Sequence, residues 1–320
     1  MLRSLLIYLS KAGWARRMVT RWNIAWRVAS RFVAGETPED AIRAIKALNA
    51  KGICATLDHL GENVTSADGA RQATDEILHV LDEIDRADVK SGISIKLSQI
   101  GLLLDESVCE ANLRRIVERA KSQENFVRID MEDSPVTDMT LGLFRKMCAE
   151  GYADTVGIVI QSYLFRSADD TRQLMEEGAR VRLCKGAYKE PPEIAYPKKA
   201  DVDASFDRLT EIMIDGAARV GLPRISECGR FPPIPAIASH DEACINYAKD
   251  YAEKVGFPKN ALEFQMLYGI RRDLQDRLAA EGYPVRVYVP YGTEWYPYFV
   301  RRLAERPANL WFFISNLFRG

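Results

Sequence analysis

The sequence predicts an α/β fold: a parallel (β/α)8 barrel preceded by an N-terminal helical arm. Three observations carry the prediction. Eight short apolar segments recur along the chain, each followed by a stretch with helical spacing, at intervals of roughly 25 to 50 residues. The span they occupy suits the about 250 residues that such a barrel needs. No Gly-x-Gly-x-x-Gly follows a strand, so the open doubly wound sheet has no support of its own. No linker composition interrupts residues 50–310, and the simplest division is an arm over residues 1–50 and a catalytic barrel over 51–320.

The arm alternates apolar runs such as Leu5 to Leu9 with Lys11, Arg16, Arg17, Arg21 and Arg27, and it holds Trp14, Trp22 and Trp26. No run reaches the ~18 residues that span a bilayer. The charges that break it up also argue against an export signal. Two readings remain for such a basic, Trp-containing helix: lying on an anionic membrane surface, or packing on its own domain, which is the one we favour. Thr37 ahead of Pro38 marks the start of a helix running to Ala50, with Ile42, Ile45 and Leu48 on one face.

The predicted strands are Gly52 to Leu57, Ile93 to Leu97, Phe126 to Met131, Val156 to Ile160, Val181 to Cys184, Ile234 to Ala238, Leu262 to Met266 and Val285 to Val289. Amphipathic stretches between them include Asp68 to Ile84, Val108 to Lys121, Leu141 to Ala149, Asp203 to Val220 and Asp241 to Val255. After the last strand, Pro297 suits the first position of a short helix that Pro307 ends, over 297–305.

Composition excludes several function classes. The 320 residues carry 44 basic against 45 acidic side chains, a net charge of -1, so nothing favours a nucleic-acid-binding surface. Six cysteines without CxxC spacing and only three histidines suggest neither a disulfide frame nor a metal cluster, and point to reduced thiols in the cytoplasm.

Barrel enzymes place their chemistry at the C-terminal strand ends, and here those ends are polar beyond what packing needs. They read Lys96-Leu-Ser98, Asp130-Met-Glu132, Gln161-Ser-Tyr163, Arg182-Leu-Cys-Lys185-Gly-Ala-Tyr188, Ser239-His-Asp241, Gln265-Met-Leu-Tyr268 and Tyr288. The helix after the last strand adds Arg301 and Arg302, behind Tyr298 and before Glu305. Adjacent guanidiniums repel unless they share an anion, and their planar forks suit a carboxylate or phosphate. With tyrosines beside them they describe a pocket for a small amino or carboxylic acid. Lys96 or Lys185 at a strand end also admits a Schiff-base aldolase acting on an anionic substrate. A lysine paired with Asp130 is the plainer reading of the same residues. A barrel that only binds an amino acid is a third.

In order along the chain, Leu57-Asp-His-Leu-Gly-Glu62, Ile95-Lys-Leu-Ser98, Val127-Arg-Ile-Asp-Met-Glu132, Val159-Ile-Gln-Ser-Tyr163, Val181-Arg-Leu-Cys-Lys-Gly-Ala-Tyr188, Ala238-Ser-His-Asp241, Glu263-Phe-Gln-Met-Leu-Tyr-Gly269 and Tyr288 to Asn309 resemble bacterial proline dehydrogenase. The resemblance runs over about residues 50–310, and the Arg-Leu-x-Lys-Gly-Ala-Tyr and Tyr-x-Pro-Tyr-Gly...Arg-Arg-Leu-x-Glu stretches are its most specific parts. It implies a distorted barrel whose last helix covers the mouth, and flavin-dependent oxidation of L-proline to Δ1-pyrroline-5-carboxylate. The implied cofactor is FAD, with FMN the other flavin it admits. The implied acceptor is a membrane quinone, which would give the arm a peripheral role on the inner face of the membrane. The implied form is monofunctional, its product passing to a separate pyrroline-5-carboxylate dehydrogenase.

By the same resemblance Arg301 and Arg302 clamp the proline carboxylate, Tyr288 and Tyr298 contact the ring, and Lys96 and Asp130 belong to the polar network. Glu62 is a gate pairing with Arg301. Gln161 meets the flavin pyrimidine, Arg182 lies near N5, and Lys185, Gly186, Ala187 and Tyr188 follow the ribityl and pyrophosphate side. Met131, Ser239, His240, Gln265, Leu267, Glu305 and Asn309 complete the cofactor shell. Residues 189–203 are a proline-rich loop that the resemblance places near the cofactor without a role, and residues 224–231 match no pattern.

Overall fold

The structure, a computed structural model, describes residues 23–61, 64–221 and 225–305, with side chains from Trp26 to Leu303. Eight parallel strands close into a barrel in sequence order. They are β1 (Cys54–His59), β2 (Ser91–Ile95), β3 (Val127–Ile129), β4 (Val156–Gln161), β5 (Arg180–Cys184), β6 (Pro235–Ala238), β7 (Glu263–Leu267) and β8 (Val285–Tyr291). β8 closes on β1 with Cys54 opposite Arg286 and Leu57 opposite Val289. Ten α-helices are described: α1 (Asn23–Ala29), α2 (Pro38–Asn49), α3 (Ala67–Ala87), α4 (Glu106–Ser122), α5 (Thr137–Met147), α6 (Ser167–Glu176), α7 (Lys199–Arg219), α8 (Glu242–Lys254), α9 (Arg272–Ala280) and α10 (Trp295–Glu305).

All eight predicted strands are present. β1 runs past its predicted end at Leu57 as far as His59, because Asp58 and His59 keep pairing with Pro290 and Tyr291 of β8. Thr37 caps α2 through a reciprocal pair with Asp40, each side chain accepting from the other's backbone N–H. The last helix starts two residues before its predicted start, so Pro297 is its third residue. Its missing N–H falls among the first four, which have no intrahelical acceptor in any case.

Strand alternation sorts the side chains. Val127, Ile129, Val181, Leu183, Phe264, Met266, Val285, Val287 and Val289 are buried and belong to the main apolar core, which the surrounding helices complete. The intervening residues meet across the barrel interior instead. Arg286 pairs with Glu263 at 3.1 Å, and Arg182 pairs with Asp130. The N-terminal end is closed by part of the segment that matched no pattern. Gly229 O accepts from Arg286, and Arg230 donates to Gln123 O at 3.0 Å.

A second apolar cluster holds α10 in place. Val28, Ala29, Phe32 and Val33 from the end of the arm bury against Trp295, Phe299, Val300 and Leu303, with Trp26 and Trp295 ring centroids 5.3 Å apart. The described part of the arm therefore packs on its own domain; residues 1–22 lie outside the described residues. Gly269 makes this approach possible: at φ +75° a Cβ there would stand 1.6 Å from Arg31 O. Gly269→Ala is expected to loosen the arm from the barrel. Limited trypsin digestion should then cut at Arg27 and Arg31 much faster than in the parent protein, while the circular dichroism of the barrel is kept. Unchanged protection of those two sites would contradict this packing role.

Candidate active site

The strand ends and α10 enclose a cavity of about 850 Å³, at the upper end of ordinary ligand sites. β1 contributes Asp58, the residue after β2 Lys96, and the residues after β3 Asp130 and Met131. Gln161 comes from β4, and Arg182, Cys184 and the run Lys185 to Tyr188 from β5 and its loop. Ser239, His240 and Asp241 follow β6, and Gln265 and Leu267 end β7. Tyr288 of β8 faces Tyr298, Arg301 and Arg302 of α10 across this space. All predicted site residues whose side chains are described meet here. Glu62, Asn309 and the side chain of Glu305 lie outside the described residues.

The polar centre is Asp130. Its carboxylate accepts from Arg182, from Ser94 Oγ at 2.5 Å and from Tyr288 Oη at 2.9 Å. Burial opposes ionisation of Asp130. The charges of Arg182 and Lys96, with the Ser94 and Tyr288 hydrogen bonds, outweigh it and hold the carboxyl below its usual range. Burial disfavours the charge on Arg182 as well, and Asp130 more than restores it. The Tyr288 hydroxyl is pushed well above its ordinary value by burial and the neighbouring carboxylates, so it stays a donor. Its ring lies under the Arg182 guanidinium at 5.3 Å.

The lysines correct the expectation of a lysine on Asp130. Lys96 Nζ donates to Asp58 at 3.3 Å, while Asp130 takes Arg182 as its partner. Asp58 is the site residue the sequence reading missed. Ending the first strand at Leu57 left the next residue outside the set of strand-end groups. Lys185 lies between Asp203 at 2.6 Å and Asp241 at 2.8 Å. Burial disfavours its charge, but those two hydrogen bonds raise its pKa, so it stays an ammonium. An amine held this way is a poor Schiff-base nucleophile, which needs the free base.

Lys185 in turn draws the Asp241 carboxyl from 3.8 down to about 2. A carboxyl whose folded pKa is depressed stabilises the fold above its ordinary pKa, and that contribution disappears as the pH falls through the folded value. Part of the stability should therefore be lost between pH 4 and pH 2, and Asp241→Asn should flatten that part of a melting-temperature profile. An identical profile for the variant would remove Asp241 from the account.

Loop 185–198 lies along one wall. Gly186 has φ +112°, and a Cβ there would stand 2.4 Å from the Tyr163 ring, so only glycine lets the backbone lie bare along the cavity. Glu190 ties the loop to the β3 side by accepting from the backbone N–H and hydroxyl of Ser134 at 2.8 and 2.6 Å. Residues 199–203, expected as loop, already belong to α7. Opposite, Arg302 stacks on Tyr298 at 5.0 Å, and the buried Tyr298, Phe299 and Leu303 face of α10 fixes the direction in which the arginines project.

This geometry fits a flavin nucleotide together with a small acid. The bare backbone at Gly186 gives a flat group close approach. Lys185 and Arg182 bring cations to the wall, Gln161 and His240 bring polar side chains, and the volume exceeds what an amino acid fills. Fold and site together define a (β/α)8 barrel with a large cavity at its mouth, where Lys96, Arg182, Lys185, Arg301 and Arg302 gather.

Comparison with known proteins agrees. Residues 41–314 match the proline dehydrogenase family model. A proline dehydrogenase of Deinococcus radiodurans is 43% identical over 92% of this chain and 91% of its own. Proline dehydrogenase 1 of Bacillus subtilis strain 168 is 38% identical, with 100% of both chains covered. Among solved structures, proline utilization A (PutA) from Bdellovibrio bacteriovorus inactivated by N-propargylglycine superposes with a TM-score of 0.79 at 27% identity. That match covers 88% of this chain but 33% of the longer protein. The chain belongs to the proline dehydrogenase family, whose members oxidise proline with a flavin in the first step of proline catabolism. No helix among the described residues is long and apolar enough to cross a membrane.

Proposed function

We propose that this chain oxidises L-proline to Δ1-pyrroline-5-carboxylate with FAD held in the cavity at the barrel mouth, and passes the electrons to a membrane quinone. One observation carries the reading: two adjacent arginines on α10, two tyrosines and the Asp130–Arg182 pair converge on a single cavity that also holds the predicted flavin contacts. FAD, when bound, supplies the acceptor for the hydride that leaves proline C5. The chain's own residues do the rest by positioning. Arg301 and Arg302 hold the substrate carboxylate, Tyr288 and Tyr298 wall the pyrrolidine ring, and Lys96 with Asp58 completes the polar side. Asp130 fixes the directions of Arg182 and Tyr288. Arg182, a buried cation, favours the negative charge that reduction brings.

Gln161, Lys185, Gly186, Ala187, Tyr188, Met131, Ser239, His240, Gln265 and Leu267 would hold the cofactor, with Glu305 and Asn309 assigned to it by resemblance. Glu62 has the role of a gate closing onto Arg301. The division into an arm over 1–50 and one catalytic barrel over 51–320 belongs to the same reading. So do a cytoplasmic location, with the arm touching the inner face of the membrane, and transfer of the product to a separate dehydrogenase. Two measurements test the finer points. Mass spectrometry of the cofactor released by denaturation should give FAD, and FMN would overturn that assignment. Turnover with L-proline should be supported by a short-chain quinone; turnover with nicotinamide nucleotides instead would overturn the proposed acceptor.

A further inference from the structure

Barrels of this class are ordinarily filled by branched apolar side chains, yet this interior is charged on several levels. Asp130 and Arg182 pair in the cavity wall, and Glu263 and Arg286 pair near the opposite end. Arg128 sits on β3 two residues before Asp130, so the two side chains share the inward face, one layer apart. It is 2% exposed and does not line the cavity. Its Nη1 donates to Ile158 O at 3.0 Å and to Arg180 O, its guanidinium covers the Phe126 ring at 4.9 Å, and its Nη2 has no partner among the described residues. No carboxylate among them stands within ion-pair distance of it; the nearby carboxylates are taken by Arg182 and Arg286. Gly157 makes the room: a Cβ there would stand 2.5 Å from Arg128 Nη1.

A methionine or leucine would fill this layer without the cost of an unpaired buried charge, since such charges are expensive wherever they are not compensated. Packing alone does not account for an arginine here. Burial pulls the Arg128 pKa well below its ordinary value, Arg182 and Arg286 add to the pull, and Glu263 and Asp130 oppose it. Because a guanidinium starts so high that it keeps its proton inside proteins, the position offers a positive charge beneath the cavity floor, where surrounding protein screens it far less than water would.

We propose that Arg128 is a positioning residue for the reaction: an uncompensated cation one layer below Asp130, whose field favours negative charge in the cavity above it and so makes the bound flavin easier to reduce. This rests on the assignment of the cavity to proline and flavin. Removing the charge lowers the flavin reduction potential, and moving the charge within the layer does not.

The test is a spectroelectrochemical titration of the flavin in the whole protein, compared across the parent, Arg128→Gln and Arg128→Lys. The glutamine keeps a donor for the Ile158 carbonyl, and the lysine keeps the charge. Arg128→Gln is expected to shift the reduction equilibrium roughly tenfold toward the oxidised form, about 30 mV for a two-electron couple, while Arg128→Lys stays with the parent. Equal potentials in all three proteins, or equal shifts in both variants, would show that Arg128 only ties β3 to its neighbours. If the glutamine variant does not fold with flavin, Arg128→Met gives the second arm. It removes the charge while filling the layer, so the same fall in potential is expected, and a potential equal to the parent's overturns the proposal. A parent protein that takes up no flavin would instead overturn the functional reading beneath it, and the proposal with it.

Discussion

Asp130→Ala is expected to be the most damaging single substitution in the site, on stability and activity together. The carboxylate accepts from Arg182, Ser94 and Tyr288, and Arg182 is 7% exposed, so its removal leaves a buried guanidinium without its counter-charge. Breaking a buried pair from one side costs about 3–5 kcal/mol. The Tyr288 hydroxyl also loses its acceptor at 2.9 Å. Release of Tyr288 and Arg182 misplaces two walls of the cavity, which lowers kcat/KM by roughly a hundredfold or more. Asp130→Asn separates charge from shape, because the amide oxygen still accepts from Tyr288 while the counter-charge is gone. Thermal melts and steady-state kinetics on both variants check this. An alanine variant that melts and turns over like the parent would remove Asp130 from the centre of the site.

The second large effect falls on the clamp. Arg301 and Arg302 reach the cavity from α10, and Arg302 is stacked on Tyr298. A lysine keeps the charge but not the planar fork that meets a carboxylate with two parallel hydrogen bonds. Losing one charge-assisted bond is worth about 1.5–3 kcal/mol. Arg301→Lys and Arg302→Lys should therefore each raise KM for L-proline roughly 10- to 100-fold while flavin content stays at the parent level. Parallel loss of flavin and substrate binding would mean that these arginines support the fold of α10 and do not clamp the substrate.

Much of this was legible in the sequence because the relevant signals are local. Apolar runs bounded by polar strand ends located all eight strands, and Thr37-Pro38 located α2. Lys96, Asp130, Gln161, Arg182, Tyr288 and the arginine pair were found because strand ends in a barrel converge wherever they lie in the chain. Pairing was not legible. That Lys96 takes Asp58, that Lys185 lies between Asp203 and Asp241, and that Asp130 belongs to Arg182 depend on barrel register and side-chain direction, which one sequence does not encode locally. Asp58 went unnoticed because strand pairing with Pro290 carries β1 past its last apolar residue. The closure of the barrel floor by Gly229 and Arg230 was equally hidden, since it joins residues more than a hundred positions from Gln123. The charged interior layer around Arg128 reads in sequence as an ordinary alternating strand, and only closure of the barrel makes its charge unusual.

The central claim is that one cavity brings L-proline and a flavin together through the chain's own arginines, tyrosines and the Asp130–Arg182 pair. The most direct test is the visible absorption spectrum of the purified protein, recorded before and after anaerobic addition of L-proline and, separately, D-proline. The account predicts a flavin spectrum bleached by L-proline and left intact by D-proline. A protein that stays colourless after incubation with FAD and FMN, or one that both enantiomers bleach equally, would contradict it.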